Sequence, residues 1–308
     1  MTDKAANSAN EPNGLIIRGV GGQYWVDDGS SAEPRAAKAL GIFRLQEIKP
    51  LAGDKVTFIE TGDPLVPLQI TFIHERRNAL QRPPIANLDG LIITFSLQDP
   101  APDRYLIDKL LIVCAEHNIE PILVLTKTDQ HQPDDEAAAD SLLEPYIKAG
   151  FRVLRTGFDQ PVSREELRQL LKGRVVAFAG QSGVGKSTLL NDLFGMELMP
   201  TGEISAKAGR GRHTTRHVEL FPFADGYIAD TPGFSSLDLE TLAVTPEAVV
   251  AAYPEIAAAE GYCRFVSCRH IGETGCAVAF DQVDAGRLER YRYFRELVDS
   301  IKSYETKK

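Results

Sequence analysis

A phosphate-binding loop is the chemistry that this sequence indicates most directly. Its spacing, Gly-x-x-x-x-Gly-Lys-Ser, occurs at Gly180-Gln181-Ser182-Gly183-Val184-Gly185-Lys186-Ser187. Gly180 and Gly185 allow a tight turn that points backbone N–H groups at phosphate oxygens, and the following helix N-terminus adds partial positive charge. We expect Lys186 to reach the β- and γ-phosphates as a catalytic group, and Ser187 to ligate Mg²⁺. The alternative is an ordinary glycine-rich turn.

The elements on either side of this loop favour the first interpretation. An apolar run at 174–179 is typical of a strand buried in a parallel sheet, and an amphipathic pattern at 187–194 predicts a helix. We therefore expect the whole loop, through Thr188 at the start of that helix, to contact a nucleotide.

A second motif, Thr126-Lys127-Thr128-Asp129, follows the strand-like run 121–125 and indicates which base is bound. An open α/β sheet binds ligands at the carboxyl ends of its strands. Asp129 can accept two hydrogen bonds from guanine, which adenine cannot supply. Lys127 can lay its aliphatic stem along the base. Taken alone, Lys-x-Asp is more typical of a solvated turn, and Thr126 stands where Asn is usual, which is expected to weaken the link to the phosphate loop.

Switch residues are expected at two further places. Asp230-Thr231-Pro232-Gly233 follows a strand-like run, so Asp230 can hold Mg²⁺ through water and the Gly233 N–H can sense the γ-phosphate. The alternative is a simple Pro-Gly turn. Upstream, the segment Gly211-Arg212-His213-Thr214-Thr215 supplies a threonine, Thr215, as a candidate Mg²⁺ ligand that closes over the ion.

These motifs occur in an unusual order. The base-reading loop precedes the phosphate loop, whereas an ordinary GTPase begins with its phosphate loop. Because the termini of compact domains often lie close together, moving the chain break can leave the pocket intact, and we interpret the chain as a circularly permuted α/β GTPase. Strands are predicted at 91–95, 122–126, 152–155, 175–179, 218–221 and 227–230, and helices at 104–118, 136–149, 164–171 and 187–194.

A metal site is predicted near the C-terminus. Three cysteines and one histidine fall within fourteen residues, as Cys263, Cys268, His270 and Cys276. Three thiolates and an imidazole suit one tetrahedral, structural Zn²⁺. Free cysteines and an intrachain disulfide are the alternatives. The remaining Cys114 is expected in a core.

Length and composition set the domain organisation. A chain of 308 residues with 43% hydrophobic content can form about two domains or slightly more. We expect a disordered tail at 1–13, a small β-barrel at 14–82, the permuted GTPase domain at 83–245 and a zinc-binding helical domain at 246–308. No apolar run is long enough to span a bilayer and the N-terminus lacks the parts of a signal peptide, so a cytoplasmic protein is expected.

The barrel prediction is based on five short strand-like pieces, at 15–18, 23–27, 41–46, 55–59 and 68–73. An oligonucleotide-binding barrel fits a nucleic-acid partner, but another small β-domain fits the pattern equally. The net charge of −9 argues against a general nucleic-acid coat. Local basic groups remain candidates for RNA contact or for solvated faces: Lys207, Arg210, Arg212, His213, Arg216, Arg264, Arg269, Arg287, Arg290, Arg292 and Arg295.

Together these motifs resemble the ribosome small-subunit-dependent GTPase A family, and the likeness covers nearly the whole chain. The residues that carry it are 180–187, 211–215, 230–234 and the four candidate zinc ligands. The resemblance implies an N-terminal oligonucleotide-binding barrel, a permuted GTPase domain and a C-terminal zinc segment. It also implies a monomer that binds GTP and GDP, contacts the small ribosomal subunit and its rRNA, and hydrolyses GTP when that subunit stimulates it. The segment Arg155-Thr156-Gly157 is a poor version of the loop that normally backs guanine.

The expected mechanism depends on a missing residue. Many GTPases place a water-orienting Gln after Asp-x-x-Gly, but here that position holds Phe234. Intrinsic hydrolysis should therefore be slow. We hypothesise that RNA orders residues 205–217 and that His213 then positions water, although His213 could equally only contact RNA. A nucleotide-gated RNA-binding module and a small-molecule phosphotransferase are the alternative functions.

Overall fold

The computed structural model describes residues 11–157, 161–195, 218–230, 239 and 242–305. The chain forms two compact units, each assembled from separate stretches of sequence. The first contains Met1–Asp89, Leu171–Phe178 and Ala206–Phe234, and the second contains Gly90–Leu170, Ala179–Ser205 and Ser235–Lys308.

A closed five-stranded barrel forms most of the first unit. Its strands follow the spatial order β1-β2-β3-β5-β4, and β1 also pairs with β4, which closes the barrel. The interior is filled by Ile16, Val26, Ala37, Phe43, Val56, Leu68 and Ile70. The strands are β1 (Gly14–Val20), β2 (Gln23–Asp27), β3 (Arg35–Ala39), β4 (Lys55–Glu60) and β5 (Leu68–Ile73). The predicted barrel is thereby confirmed, with four of its five strand positions.

The strand prediction at 41–46 was wrong, because Gly41–Leu45 forms a short helix, α1. Only Phe43 of this helix is buried, and it belongs to the hydrophobic core of the barrel. The third strand is Arg35–Ala39, whose three alanines have weak strand propensity and gave no signal. Its pairing with β2 and β5 supplies the stability that the local sequence lacks.

Five more strands belong to the first unit. Residues 82–83 form the turn of a hairpin between β6 (Ala79–Gln81) and β7 (Pro84–Ala86). Strand β11 (Val175–Ala179) runs parallel to β13 (Gly226–Asp230), which pairs antiparallel with β12 (Glu219–Phe223). Strand β12 continues the pairing onto β1 through Arg18 and Glu219, whose side chains form an ion pair at 2.9 Å.

Three parallel strands organise the second unit: β8 (Gly90–Ser96), β9 (Glu120–Thr126) and β10 (Arg152–Arg155). Every residue of β8 is buried, as expected for a strand covered on both faces. Helices α2 (Arg104–Glu116), α3 (Asp135–Lys148), α4 (Pro161–Leu171) and α5 (Lys186–Phe194) alternate with the strands. Cys114 lies in the core on α2, as predicted, and burial raises the pKa of its thiol.

The C-terminal segment contains helices α6 (Pro246–Ala251), α7 (Pro254–Ala257) and α8 (Ala285–Glu305). Helix α8 packs against α2 and α6. Among the described residues, every helix is too short or too polar to cross a membrane.

A buried charge cluster on α2 receives two of the C-terminal arginines. The carboxylate of Asp108 is fully buried and accepts hydrogen bonds from Arg287 at 3.1 Å and Arg290 at 2.6 Å. The hydroxyls of Tyr146 and Tyr253 donate to the same carboxylate at 2.9 and 3.0 Å. The prediction of an RNA-binding or solvated face was therefore wrong for Arg287 and Arg290, because their charges are used inside the molecule.

The other two C-terminal arginines also have intramolecular partners. Arg295 pairs with Asp299 at 3.3 Å, and the guanidinium of Arg292 lies 5.5 Å from the ring centre of Phe280. Arg292 and Arg295 were expected on an outer surface, and both guanidinium groups have a contact within the molecule.

Candidate nucleotide site

The base-reading loop begins where strand β9 ends. Lys127 adopts the left-handed conformation at φ 60°, which turns the chain sharply out of the sheet and into a single 3-10 turn at Thr128–Gln130. The Nζ of Lys127 donates to the carbonyl of Asp99. This geometry places Lys127 and Asp129 on the edge of the cleft described below.

The phosphate loop requires glycine at both ends of its turn. Gly180 has φ 142°, and a Cβ there would lie 2.0 Å from the carbonyl oxygen of Thr94. Gly185 has φ 91° and forms the left-handed N-cap of helix α5. Lys186 folds back over the loop, where its Nζ donates to the carbonyls of Gly180, at 2.8 Å, and Gln181. Burial lowers the pKa of Lys186 from its ordinary value.

The two loops are joined through the residue that departs from the usual motif. The hydroxyl of Thr126 lies within hydrogen-bond distance of the carbonyls of Phe95, at 3.0 Å, and Val184. Val184 belongs to the phosphate loop, so Thr126 makes the connection that Asn was expected to make. A hydroxyl has a single proton, so it donates to one carbonyl at a time. The contact between the two loops is therefore present with threonine, and the expectation that it is weaker than with Asn stays a prediction.

A cleft lies between the base-reading loop, the loop after β10 and helix α5. Its lining combines polar groups for recognition with the apolar side chain of Leu189. The lining residues are Thr126, Lys127, Asp129, Gln130, Thr156, Gly157, Arg164, Gly185, Thr188, Leu189 and Asp192. Both motifs of the second unit therefore contribute to one site, although they are about fifty residues apart in the chain.

The segment after β10 supports the base-reading loop more closely than its sequence suggests. The N–H of Thr128 donates to the carbonyl of Thr156 at 3.3 Å. Gly157 lies so near that a Cβ would meet the Oδ1 of Asp129 at 2.6 Å. Any larger residue at 157 would displace Asp129. Within the part of the chain that the structure describes, the Asp129 carboxylate has no hydrogen-bond donor, so both its oxygens remain able to accept from a ligand.

An ion pair in the same cleft was missed by sequence reasoning. Arg164 of α4 donates to Asp192 of α5 at 2.6 Å, and both side chains line the cleft. The two residues are 28 positions apart, and neither belongs to a recognisable motif. Only the packing of α4 beside α5 brings them together.

Several predicted site residues lie outside the described residues. They are His213, Thr214, Thr215, Thr231, Pro232, Gly233 and Phe234. The backbone of Asp230 ends strand β13, as predicted, and Ser187 stands in the first turn of α5.

The predicted metal ligands converge in the second unit. The ligand atoms of Cys263, Cys268, His270 and Cys276 all lie within 4.8 Å of one another. The Nδ1 of His270 is 3.5 Å from the Cys263 sulfur and 3.6 Å from the Cys276 sulfur. Zinc–sulfur bonds of about 2.3 Å in a tetrahedron place ligand atoms less than about 4 Å apart, so this donor set can hold a metal ion with small adjustments.

Residues around the metal ligands hold the loop in shape. Glu273 accepts hydrogen bonds from the backbone N–H groups of Arg269, at 3.0 Å, and Ile271, at 2.9 Å, on either side of His270. The hydroxyl of Tyr291, on helix α8, donates to the carbonyl of Arg269 at 2.6 Å. Such outer contacts fix the direction of a ligand ring. The loop is therefore anchored to the C-terminal helix as well as to its own ligands.

Comparison with known proteins gives consistent results along the chain. Residues 73–240 match the family described as RsgA GTPase, and residues 13–64 match the RsgA N-terminal domain. The small ribosomal subunit biogenesis GTPase RsgA of Bacillus cereus is 38% identical over 293 residues, which cover 94% of this chain and 98% of the relative. The protein of that name from Moorella thermoacetica is 42% identical over 283 residues, 91% of this chain and 93% of its own.

Solved structures agree with the sequence relatives. The chain is similar to YloQ, a circularly permuted GTPase, with a TM-score of 0.76 and 32% identity over 94% of this chain and 96% of that one. It is also similar to YjeQ from Thermotoga maritima, with a TM-score of 0.76 and 29% identity over 94% of this chain and 98% of that one. The permuted order of motifs is thereby confirmed.

Proposed function

We infer that this chain, which belongs to the RsgA GTPase family, binds GTP in the cleft between its two loops and hydrolyses it during maturation of the small ribosomal subunit. One observation carries the nucleotide assignment: Asp129, with no donor among the described residues, faces the same cleft as Gly185 and Thr188 of the phosphate loop and its helix. A carboxylate placed beside a phosphate loop matches guanine, which offers two adjacent donors.

The role in ribosome assembly is proposed from the relatives. They carry the name small ribosomal subunit biogenesis GTPase, and they match this chain over nearly its full length. The five-stranded barrel is a suitable rRNA-binding module because small barrels of this class bind oligonucleotides. We propose that the protein acts as a cytoplasmic monomer.

Two metal ions are part of the proposal. Zn²⁺ suits the three thiols and one imidazole of the C-terminal cluster and would act structurally, because all four tetrahedral positions are taken by protein. Mg²⁺ would accompany GTP, with Ser187, Thr215 and Asp230 as proposed ligands. When bound, it would supply charge stabilisation at the phosphates.

We propose that ribosomal RNA controls the rate of hydrolysis. Phe234 cannot orient water, so turnover without a partner should be slow. His213 is the proposed group that positions water once RNA is bound, while Lys186 stabilises charge on the transferred phosphoryl group. His213→Ala should abolish most of the stimulated rate and leave GTP binding intact. Unchanged stimulated turnover would reject the catalytic role and leave RNA contact as the role of His213.

The test of the proposed function is steady-state GTP hydrolysis with and without purified small ribosomal subunits. Large subunits and free RNA serve as controls. Stimulation by small subunits alone is the expected result. If GTP binds but no subunit stimulates turnover, the chain is better described as a nucleotide-gated RNA-binding module. Asp129→Asn is a control for base identity, because an amide can donate to the C2 carbonyl of xanthine and should shift preference from GTP toward XTP.

A further inference from the structure

We infer that Gln181 is a positioning residue of the nucleotide site, because its side chain fixes the phosphate loop against helix α2. The inference rests on the proposed nucleotide site and gives a role to a loop position that the sequence motif leaves variable. One hydrogen bond supports this role: the Oε1 of Gln181 accepts from the backbone N–H of Asp103 at 2.9 Å. The two residues are 78 positions apart in the chain.

Gln181 is held through its main chain as well as through its side chain. Its carbonyl accepts from the Nζ of Lys186, the lysine that is expected to reach the β- and γ-phosphates. A backbone N–H can only donate, so the side-chain oxygen of Gln181, and not its amide nitrogen, must face Asp103. Gln181 therefore connects the phosphate-binding lysine to the beginning of a helix.

The other end of this bond is equally well defined. Asp103 is the N-cap of α2, and its carboxylate accepts from the N–H of Leu106 at 3.0 Å within the first turn. Its side chain thus caps the helix, while its own N–H donates to the phosphate loop. Fraying of the first turn would break both contacts, whereas a displacement of the loop would break the second.

Helix α2 can support the loop because it is anchored in its middle and at its end. Asp108 is fully buried and pairs with Arg287 and Arg290 of α8. Glu116, the last residue of the helix, accepts hydrogen bonds from the backbone N–H and the hydroxyl of Thr245, both at 2.7 Å. The phosphate loop is thereby attached to an element that has fixed neighbours of its own.

Such an attachment raises nucleotide affinity by ordering the loop in advance. A loop that already holds its bound shape loses less conformational entropy when the ligand arrives. By linkage, a nucleotide that orders the loop also stabilises the contact between the loop and α2. Bound nucleotide should therefore slow amide exchange in the first turn of α2, at 103–107, although these residues do not line the cleft.

The segment before α2 provides a matched control. The Nε2 of Gln98 donates to Oδ1 of Asp135 at 2.7 Å, which is also a side-chain hydrogen bond between two separate segments. Asp135 lies outside the phosphate loop. Methionine in place of either glutamine keeps the length of the side chain and removes its polar end. A role limited to holding segments together would make the two substitutions equivalent, whereas a positioning role would separate them.

The experiment measures GDP affinity by calorimetry and amide hydrogen exchange by mass spectrometry for the wild-type protein, Gln181→Met and Gln98→Met. We expect Gln181→Met to weaken GDP binding about two- to fivefold, the loss expected for one partly exposed hydrogen bond. Gln98→Met should bind GDP within about twofold of wild type. At saturating GDP, exchange at 103–107 should slow in the wild-type protein and in Gln98→Met, and should keep its nucleotide-free rate in Gln181→Met.

Gln181→Glu tests whether the acceptor oxygen is the important group. Glutamate keeps the side-chain length and can accept from the Asp103 N–H, but its charge repels the phosphates. Its GDP affinity should therefore fall, while the slowing of exchange at 103–107 by saturating GDP should return. This pattern separates the loss of the hydrogen bond from a change in phosphate affinity.

Four results would contradict the inference. They are an unchanged exchange rate at 103–107 when GDP binds the wild-type protein, equal slowing in wild type and Gln181→Met, equal loss of affinity in both methionine variants, and no return of slowing in Gln181→Glu. Thermal unfolding of each variant without nucleotide checks that it folds. Failure of the wild-type protein to bind GDP would instead reject the proposed function.

Discussion

Replacing Asp108 by Asn is expected to lower the free energy of unfolding of the second unit by about 3 to 5 kcal/mol. Asp108 is fully buried and pairs with Arg287, which is also fully buried, and with Arg290, which is nearly so. Asparagine has almost the same volume, so the substitution creates no cavity. It removes the negative charge and turns one acceptor oxygen into a donor that faces an arginine or a tyrosine hydroxyl.

The size of this loss in unfolding free energy depends on which acidic partners each arginine keeps when Asp108 is replaced. Arg287 keeps Glu255, which lies 2.6 Å from its Nε. Arg290 has Asp108 as its ion-pair partner, and within the described residues no second carboxylate replaces it. An uncompensated buried charge of this kind costs several kcal/mol. As a control, Glu144→Gln breaks the pair with Lys148 on the exposed face of α3, where both side chains are more than half exposed, and should cost less than about 1 kcal/mol.

Two optical signals allow the second unit to be followed separately. The long helices belong to that unit, so far-ultraviolet circular dichroism during urea unfolding reports mainly on it. The single tryptophan, Trp25, lies on β2 of the barrel, so its fluorescence reports on the first unit. Asp108→Asn should shift the dichroism transition to lower urea and leave the tryptophan transition nearly in place. A dichroism midpoint equal to that of Glu144→Gln would refute the account of the buried cluster.

Three other perturbations test separate parts of the structure. Thr126→Val removes the hydroxyl beside the Val184 carbonyl and should weaken GDP binding about three- to tenfold by calorimetry; unchanged affinity would mean that the contact does not couple the loops. Burial, with the nearby Asp108 charge, raises the pKa of Tyr253 well above its ordinary value, so the unfolded chain loses this proton first, and the stability present below about pH 10 is lost as pH rises further. Tyr253→Phe should flatten that alkaline decline in unfolding free energy, and an equally steep decline would contradict the assignment. Cys263→Ser should reduce bound zinc well below one ion per chain by atomic emission, while Cys114→Ser, a control in the core, should keep it; full zinc content in Cys263→Ser would exclude that sulfur as a ligand.

The parts of the fold that the sequence predicted are those in which one segment carries its own signal. Strand β8 is a continuous apolar run, and its burial on both faces explains that composition. The phosphate loop and the metal cluster are specified by residue types at short spacing, and both were found as expected. Strand β3 has no such signal, because its alanines become a strand only by pairing with β2 and β5.

The residues of the candidate site differ in the same way: some belong to a local motif, and others come together only through packing. Asp129 could be identified from four consecutive residues, whereas the pair of Arg164 and Asp192 depends on how two helices pack. Arg287 and Arg290 follow a helical spacing that is equally consistent with an outer face. Their burial is decided by Asp108, about 180 residues earlier in the chain, and local sequence does not encode that distance.

The long separation within the Asp108 cluster also sets an order of events during protein synthesis. Asp108 and Arg290 are 182 residues apart in the chain. At a synthesis rate of about 5 to 20 residues per second, Arg290 is added roughly 10 to 35 seconds after Asp108. The two loops of the candidate nucleotide site, at 126–129 and 180–187, are made within that interval. Until α8 emerges from the translating ribosome, α2 cannot bury its charge in the native arrangement. The second unit therefore completes its folding only at the end of translation, and a chain cut short before residue 287 would be left with an unpaired acidic group on a surface meant for packing.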